Sequence, residues 1–128
     1  MTGGASSPMS ASATARIRGT STIRLATTRC LPPLAGVFSG VTDLFGDGTL
    51  FAILVPGHTA GSVAYVARTP RGPVLFTGDT SHARWGWEHG VSPGRFSSDR
   101  ARNAASLAAL RGLAARHPAL DVRLGHQR

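Results

Sequence analysis

The clearest pattern in the chain is a series of short apolar runs, each of which ends at turn residues. Residues 49–55 form a continuous apolar run that Pro56 and Gly57 end, and residues 62–68 are rich in Val and Tyr. Residues 73–77 form a third apolar run. Short apolar and β-branched runs bounded by Gly and Pro are typical of buried strands, so we predict three strands in a meander.

A helix and a last strand follow the meander. Ser98 or Asp99 can cap the start of this helix. Its apolar stripe, at the spacing of one helical face, consists of Leu107, Leu110 and Ala114. Residues 120–124 are a short apolar run and predict the last strand. The pattern therefore indicates an α/β (α+β) domain in which a β-meander precedes a helix and a strand.

The N-terminal part of the chain has a different texture. Residues 1–36 are rich in Ser, Thr, Ala and Gly and contain no acidic residue. Such a composition buries too little apolar surface to order the chain, so we predict a disordered leader. The folded part is then expected to span residues 37–128.

The direction of the predicted strands brings three polar residues to one edge of the sheet. His58 follows the first strand and Asp79 follows the third, which runs parallel to the first in a meander. The helix then carries the chain back, so the last strand ends at the same edge with His126. Imidazole and carboxylate groups suit Zn, Fe or Mn, although a polar residue beside a Gly is also ordinary turn chemistry.

Composition limits the other possibilities. The formal net charge is +8 and all fourteen basic residues are Arg, which suggests an acidic partner. The arginines are scattered and match no nucleic-acid-binding motif, so we keep a non-enzymatic Arg-rich binding module only as the alternative function. Cys30 is the only cysteine and no apolar stretch is long enough to span a bilayer, so we expect a cytoplasmic protein without a membrane segment.

Three segments resemble motifs of the metallo-β-lactamase superfamily. Residues 56–62, Pro-Gly-His-Thr-Ala-Gly-Ser, resemble the third motif of that superfamily. Residues 75–80, Leu-Phe-Thr-Gly-Asp-Thr, resemble the motif that carries its bridging aspartate. Residues 124–127, Leu-Gly-His-Gln, resemble its terminal histidine motif. The order and spacing of the motifs also agree, over about the second half of the superfamily's domain.

The resemblance implies part of an αβ/βα sandwich that binds two zinc ions, with Fe or Mn as alternatives. His58 would ligate the first ion and His126 the second, and Asp79 would bridge them at the catalytic centre. Members of the superfamily hydrolyse lactones, thioesters, lactams and phosphodiesters. In that chemistry the metal activates a water and polarises the bond to be cleaved, so the implied partner is a small-molecule substrate.

The sequence departs from the superfamily pattern upstream. The superfamily's His-x-His-x-Asp-His run is missing, and His58 is the first histidine. Each ion would then have two protein ligands where zinc needs three or four, so we expect poor metal occupancy. We predict a truncated domain, weak or inactive alone, with an uncovered apolar sheet face. A complementing N-terminal half or a second copy of the chain would cover that face.

The segment after Asp79 contains further polar and aromatic residues. Residues 80–97 show no periodicity, which is typical of a long surface loop. We expect that His82, Glu88 and His89 do not replace the missing ligands. The residues we assign instead to the walls of a substrate pocket are Trp85, Trp87 and His89.

Overall fold

A computed structural model of the chain describes Leu34 and residues 36–126. The predicted leader, residues 1–36, lies outside the described residues except for Leu34 and Gly36. The described part forms one sheet in the order β1-β2-β3-β4-β5. Its elements are β1 (Val41–Asp43), β2 (Leu50–Leu54), β3 (Val63–Thr69), β4 (Gly72–Phe76), α1 (Arg84–His89), α2 (Arg100–Arg116) and β5 (Asp121–Arg123).

The connections between the strands confirm the predicted order. Strands β1 to β4 pair antiparallel, and β4 then pairs parallel with β5. A parallel pair needs a crossover, and α2 supplies it. The α/β class and the meander followed by helix and strand are therefore confirmed, whereas β1 is an additional short strand that the sequence pattern did not indicate.

The core lies between α2 and one face of the sheet. The carboxylate of Asp99 caps the helix by accepting the N–H of Arg102 at 2.9 Å, as predicted. Leu107 and Leu110 are buried as predicted, and Leu113 is buried beside them. Each such leucine contributes roughly 1.5–3 kcal/mol on burial. The core cluster consists of Leu34, Ile53, Val55, Ala64, Val66, Leu75, Leu110, Leu113 and Leu120.

The opposite face of the sheet presents apolar side chains to solvent. Leu54, Tyr65 and Phe76 come from three adjacent strands and are 37%, 41% and 45% exposed. Tyr65 and Phe76 are direct neighbours across the β3–β4 pair. This arrangement matches the apolar sheet face predicted from the sequence.

The prediction of an irregular loop over residues 80–97 is wrong. This segment contains α1 and a 3-10 turn at Gly94–Phe96. A helix of six residues is shorter than two turns, so no helical periodicity shows in the sequence. Gly90 ends α1 in the left-handed conformation, at φ 69°. No helix in the described part is long and apolar enough to cross a membrane.

Gly57 follows β2 and packs closely against the start of α2, and its substitution tests this part of the fold. Its φ is 140°, and a Cβ there would overlap the backbone of Asn103. We expect Gly57→Ala to lower the free energy of unfolding by about 3 kcal/mol or more in urea denaturation. The control is Gly61→Ala, because a Cβ at Gly61 meets nothing within 4 Å and should change stability by under about 0.5 kcal/mol. Equal stability of the two variants would contradict this packing.

Candidate metal centre

Asp79 lies in the short 3-10 turn Gly78–Thr80 that follows β4. Just before the turn, Thr77 is buried and donates its N–H to the carbonyl of Arg123 in β5 at 2.9 Å. Gly78 has a φ of 55°, a conformation that glycine adopts without strain. The chain therefore leaves the sheet abruptly, and Asp79 stands at the sheet edge.

His58 stands at the same edge, in the turn after β2. Backbone hydrogen bonds from the residues just before α2 fix the position of this turn. The N–H of Asp99 donates to the carbonyl of Gly57 at 2.9 Å, and the N–H of Ser98 donates to the carbonyl of His58 at 3.0 Å. The His58 side chain is 18% exposed, so it points largely into the protein.

His82 and His126 are brought together by backbone hydrogen bonds between two segments that are far apart in sequence. The N–H of Gly125 donates to the carbonyl of Ser81 at 3.1 Å, and the N–H of His126 donates to the carbonyl of His82 at 3.1 Å. The centroids of the two imidazole rings are 4.1 Å apart. The end of β5 is thus tied to the segment that follows Asp79.

The Asp79 carboxylate is the common neighbour of three histidines. Its Oδ1 lies 3.0 Å from Nε2 of His126, a hydrogen bond, and 3.6 Å from Nε2 of His82. Its Oδ2 lies 3.7 Å from Nε2 of His58. Within this cluster, one potential ligand atom from each of His58, Asp79 and His82 lies within 4.8 Å of the others.

The local electrostatics favour a neutral His82. Burial lowers the pKa of His82 below its ordinary value, and the charge of His126 acts in the same direction. Asp79 opposes this shift, while His58 adds to it. Neutral imidazole is the form that ligates metals, so the lowered pKa of His82 favours the ligating form.

The donor atoms of the cluster fit a transition metal. Nε2 of His82 is buried and has no hydrogen-bond partner in the part of the chain that the structure describes. Buried polar atoms without partners are uncommon and call for an explanation such as an ion. Imidazole nitrogen and carboxylate oxygen are the donors that zinc, iron and manganese accept.

An apolar cleft of about 610 Å³ borders the cluster at His82. Trp85, Val91 and Phe96 supply exposed apolar side chains to its walls, and Arg95 adds a positive charge. The rings of His82 and Phe96 are 6.4 Å apart between centroids, so the cleft adjoins the candidate ligands. A volume between roughly 300 and 1,000 Å³ is typical of sites for small molecules.

Comparison with known proteins identifies the family. The family model described as the metallo-β-lactamase superfamily matches residues 4–121. The chain belongs to the metallo-β-lactamase superfamily. The resemblance inferred from the motifs around His58, Asp79 and His126 is therefore confirmed, and the match begins well upstream of those motifs.

Curated relatives within the superfamily include two proteins named N-acyl homoserine lactonase AttM. The one from Agrobacterium fabrum is 35% identical over 94 residues, which cover 73% of this chain and 35% of the relative. The one from Azorhizobium caulinodans is 36% identical over 85 residues, which cover 66% of this chain and 32% of the relative. This chain thus spans about a third of the length of these relatives.

Solved structures agree on the metallo-β-lactamase fold. An N-acyl homoserine lactone hydrolase with its product N-hexanoyl-L-homoserine at the catalytic metal centre is 21% identical, with a TM-score of 0.59. A variant of the AiiA protein of B. thuringiensis with N-decanoyl-L-homoserine bound gives the same TM-score of 0.59. Each match covers 68% of this chain and 33% of the other chain.

The structure places the residues singled out from the sequence in different settings. His58, Asp79 and His126 meet at one sheet edge, as the strand directions predicted. Trp85 lines the cleft. The remaining two residues of the predicted pocket lie elsewhere, since Trp87 packs against the core and His89 stacks on Trp85 with ring centroids 4.6 Å apart.

Sequence reasoning set His82 aside, and the structure brings it into the cluster. His82 follows Asp79 by three residues and lies just beyond the 3-10 turn, whose C-cap Ser81 is extended. The short separation from Asp79 is the signal that could have found it. It becomes decisive only once the backbone bond from His126 to His82 is known.

Asn103 connects α2 to the site and can be tested by substitution. Its side chain is fully buried, and its Nδ2 donates to the carbonyl of Thr80 at 3.3 Å. We expect Asn103→Ala to lower the free energy of unfolding in urea by about 1–3 kcal/mol, because a buried carbonyl loses its donor. Arg102→Ala, at an exposed neighbouring position, is the control and should stay within about 0.5 kcal/mol of the unsubstituted chain. A loss no greater than that of Arg102→Ala would refute the role of this hydrogen bond.

Proposed function

We propose that this chain is a metal-dependent hydrolase that opens a lactone, with an N-acyl homoserine lactone as the substrate class. The convergence of His58, Asp79 and His126 at one sheet edge supports this proposal most directly. The lactonase relatives add the substrate class. Because the chain spans about a third of those relatives, the activity of the chain by itself is what has to be measured.

His58 and Asp79 would hold a first zinc ion, and Asp79 and His126 are the ligands that the superfamily motifs supply for a second, with iron or manganese as the alternatives. When bound, such a metal acidifies a water molecule and polarises the carbonyl oxygen of an ester. The chain's own contribution is to fix the ligands. The hydrogen bond of 3.0 Å from His126 orients the Asp79 carboxylate, and the start of α2 holds the backbone of His58.

The cleft beside His82 suits the acyl chain of such a substrate. Trp85, Val91 and Phe96 offer apolar surface that an acyl chain would cover, and each buried methylene contributes roughly 0.8 kcal/mol. Arg95 at the same cleft can donate hydrogen bonds to a carbonyl oxygen of the substrate. The cleft would therefore position the acyl group while the lactone ring lies at the metal cluster.

The exposed apolar face of the sheet, formed by Leu54, Tyr65 and Phe76, is where a partner of the chain would bind. A complementing polypeptide or a second copy of the chain that covers this apolar face stays a prediction. Either partner would bury the exposed face and supply protein surface beside the metal cluster.

Substitution of Asp79 tests the proposed function. We expect the zinc-loaded chain to hydrolyse N-acyl homoserine lactones only weakly, because the superfamily's upstream histidine run is missing, and Asp79→Ala to lose its bound zinc and at least about 100-fold of that rate. Metal is measured by elemental analysis and hydrolysis by acid release at constant pH. The control is Asp47→Ala, in the turn between β1 and β2 at the opposite edge of the sheet. Lactone hydrolysis that survives Asp79→Ala would count against a metal mechanism, and zinc binding without any hydrolysis would count against the activity.

Phe96 tests the role of the cleft. Its side chain is 74% exposed, so Phe96→Ala should leave the fold intact. We expect kcat/KM for long-chain acyl lactones to fall about tenfold relative to short-chain ones, since the longer chain loses apolar contact. Phe45→Ala is the matched control, because Phe45 is 70% exposed and lies outside the cleft. An unchanged ratio in Phe96→Ala would mean that the acyl chain binds elsewhere.

A further inference from the structure

We propose that His82 is a metal ligand, so that His58, Asp79 and His82 together bind one transition-metal ion. The superfamily motifs in this sequence contribute His58, Asp79 and His126, and none of them includes His82. The inference rests on the proposed function only in requiring a metal at this sheet edge. Three protein ligands with one further position open to water is the usual arrangement of a catalytic zinc site.

The distances within the cluster fit a single ion. Two bonds of about 2.1 Å at a tetrahedral angle separate the ligand atoms by about 3.4 Å. The distance from Asp79 Oδ1 to His82 Nε2 is 3.6 Å, and that from Asp79 Oδ2 to His58 Nε2 is 3.7 Å. Both are too long for hydrogen bonds and close to the spacing of two ligands on one metal. They involve the two different oxygens of Asp79, so the carboxylate would bind the ion through both, and one ligand atom from each of the three residues lies within 4.8 Å of the others.

The surroundings of His82 favour a ligand over a packed core residue. Its Nε2 is buried without a hydrogen-bond partner among the described residues, although it faces the Asp79 carboxylate. A histidine retained only for packing would be expected to satisfy this atom. An ion bound beside Asp79 would satisfy it.

His126 has a different relation to the cluster. Its Nε2 bonds directly to Asp79 Oδ1, and its side chain is 61% exposed compared with 25% for His82. Hydrogen bonds of this kind orient a metal-ligating carboxylate from outside the coordination sphere. For the single ion bound by His58, Asp79 and His82, His126 is therefore a positioning residue that holds Asp79, and ligation by His126 would require the second ion.

The test counts imidazoles on the bound metal. The full chain is purified without a histidine tag and loaded with zinc alone, and X-ray absorption at the zinc edge gives the number of imidazole ligands per ion. We expect two for the unsubstituted chain, one for His82→Ala and two for His126→Ala. Chelator competition should show a loss of zinc affinity for His82→Ala that exceeds the roughly 10–100-fold loss typical of a positioning residue.

Two further variants make the test independent of folding and of stray histidine binding. His82→Phe fills a similar volume without a donor atom, so it replaces His82→Ala if circular dichroism shows that the alanine variant is unfolded. His117→Ala removes a histidine at the end of α2, and we expect it to leave both the imidazole count and the zinc affinity unchanged.

The outcomes separate this inference from the proposed function. Two imidazoles and unchanged affinity in His82→Ala would overturn the assignment of His82 and leave the metal-dependent function standing. One imidazole in His126→Ala, with two in His82→Ala, would assign the site to His126 instead. Absence of bound zinc in the unsubstituted chain would overturn both proposals. Zinc held by His82 without lactone hydrolysis would overturn the function and support the ligand assignment.

Discussion

The parallel pairing of β4 with β5 is the interaction on which the arrangement of the site depends. The pairing extends one residue beyond β4 through the hydrogen bond from the N–H of Thr77 to the carbonyl of Arg123. Backbone bonds from Gly125 and His126 then continue it along the segment after Asp79. Since backbone groups carry these bonds, the separation of Asp79 from His126 is set by strand register and not by the side chains of the strands.

That pairing in turn needs α2 to lie flat on the sheet. Leu110 and Leu113 bury the helix against the same face that contains Ile53 and Leu75. The N-terminal end of the helix also bonds to the carbonyls of Gly57 and His58. One element therefore fixes two of the ligand-bearing segments, directly for His58 and through the crossover for His126.

The parts of the fold that the sequence predicted are those with a local signal. Apolar runs and turn residues give the strands and their directions, and direction alone places His58, Asp79 and His126 at one edge. The position of His82 depends instead on a 3-10 turn and on its backbone bond to His126, a contact between residues far apart in sequence. The alternative of an Arg-rich binding module stays a prediction. So does the leader at residues 1–36, of which the structure describes only Leu34, which is buried in the core, and Gly36.

His82 belongs both to the metal cluster and to the apolar cleft, which were predicted from the sequence as separate features. Its ring contributes to the wall of the apolar cleft and lies between those of His58 and Phe96, with centroids 5.5 Å and 6.4 Å away. A polar group beside apolar surface interacts more strongly with charge, because the surrounding medium is less polarisable than water. An ion held by His82 would lie where an apolar group of a substrate also binds, so one residue would couple metal binding to substrate position. A phenylalanine in its place could line the cleft but offers no donor atom to a metal. The buried Nε2, which faces Asp79 without a hydrogen-bond partner among the described residues, is the physical reason for assigning His82 to the metal as well as to the cleft.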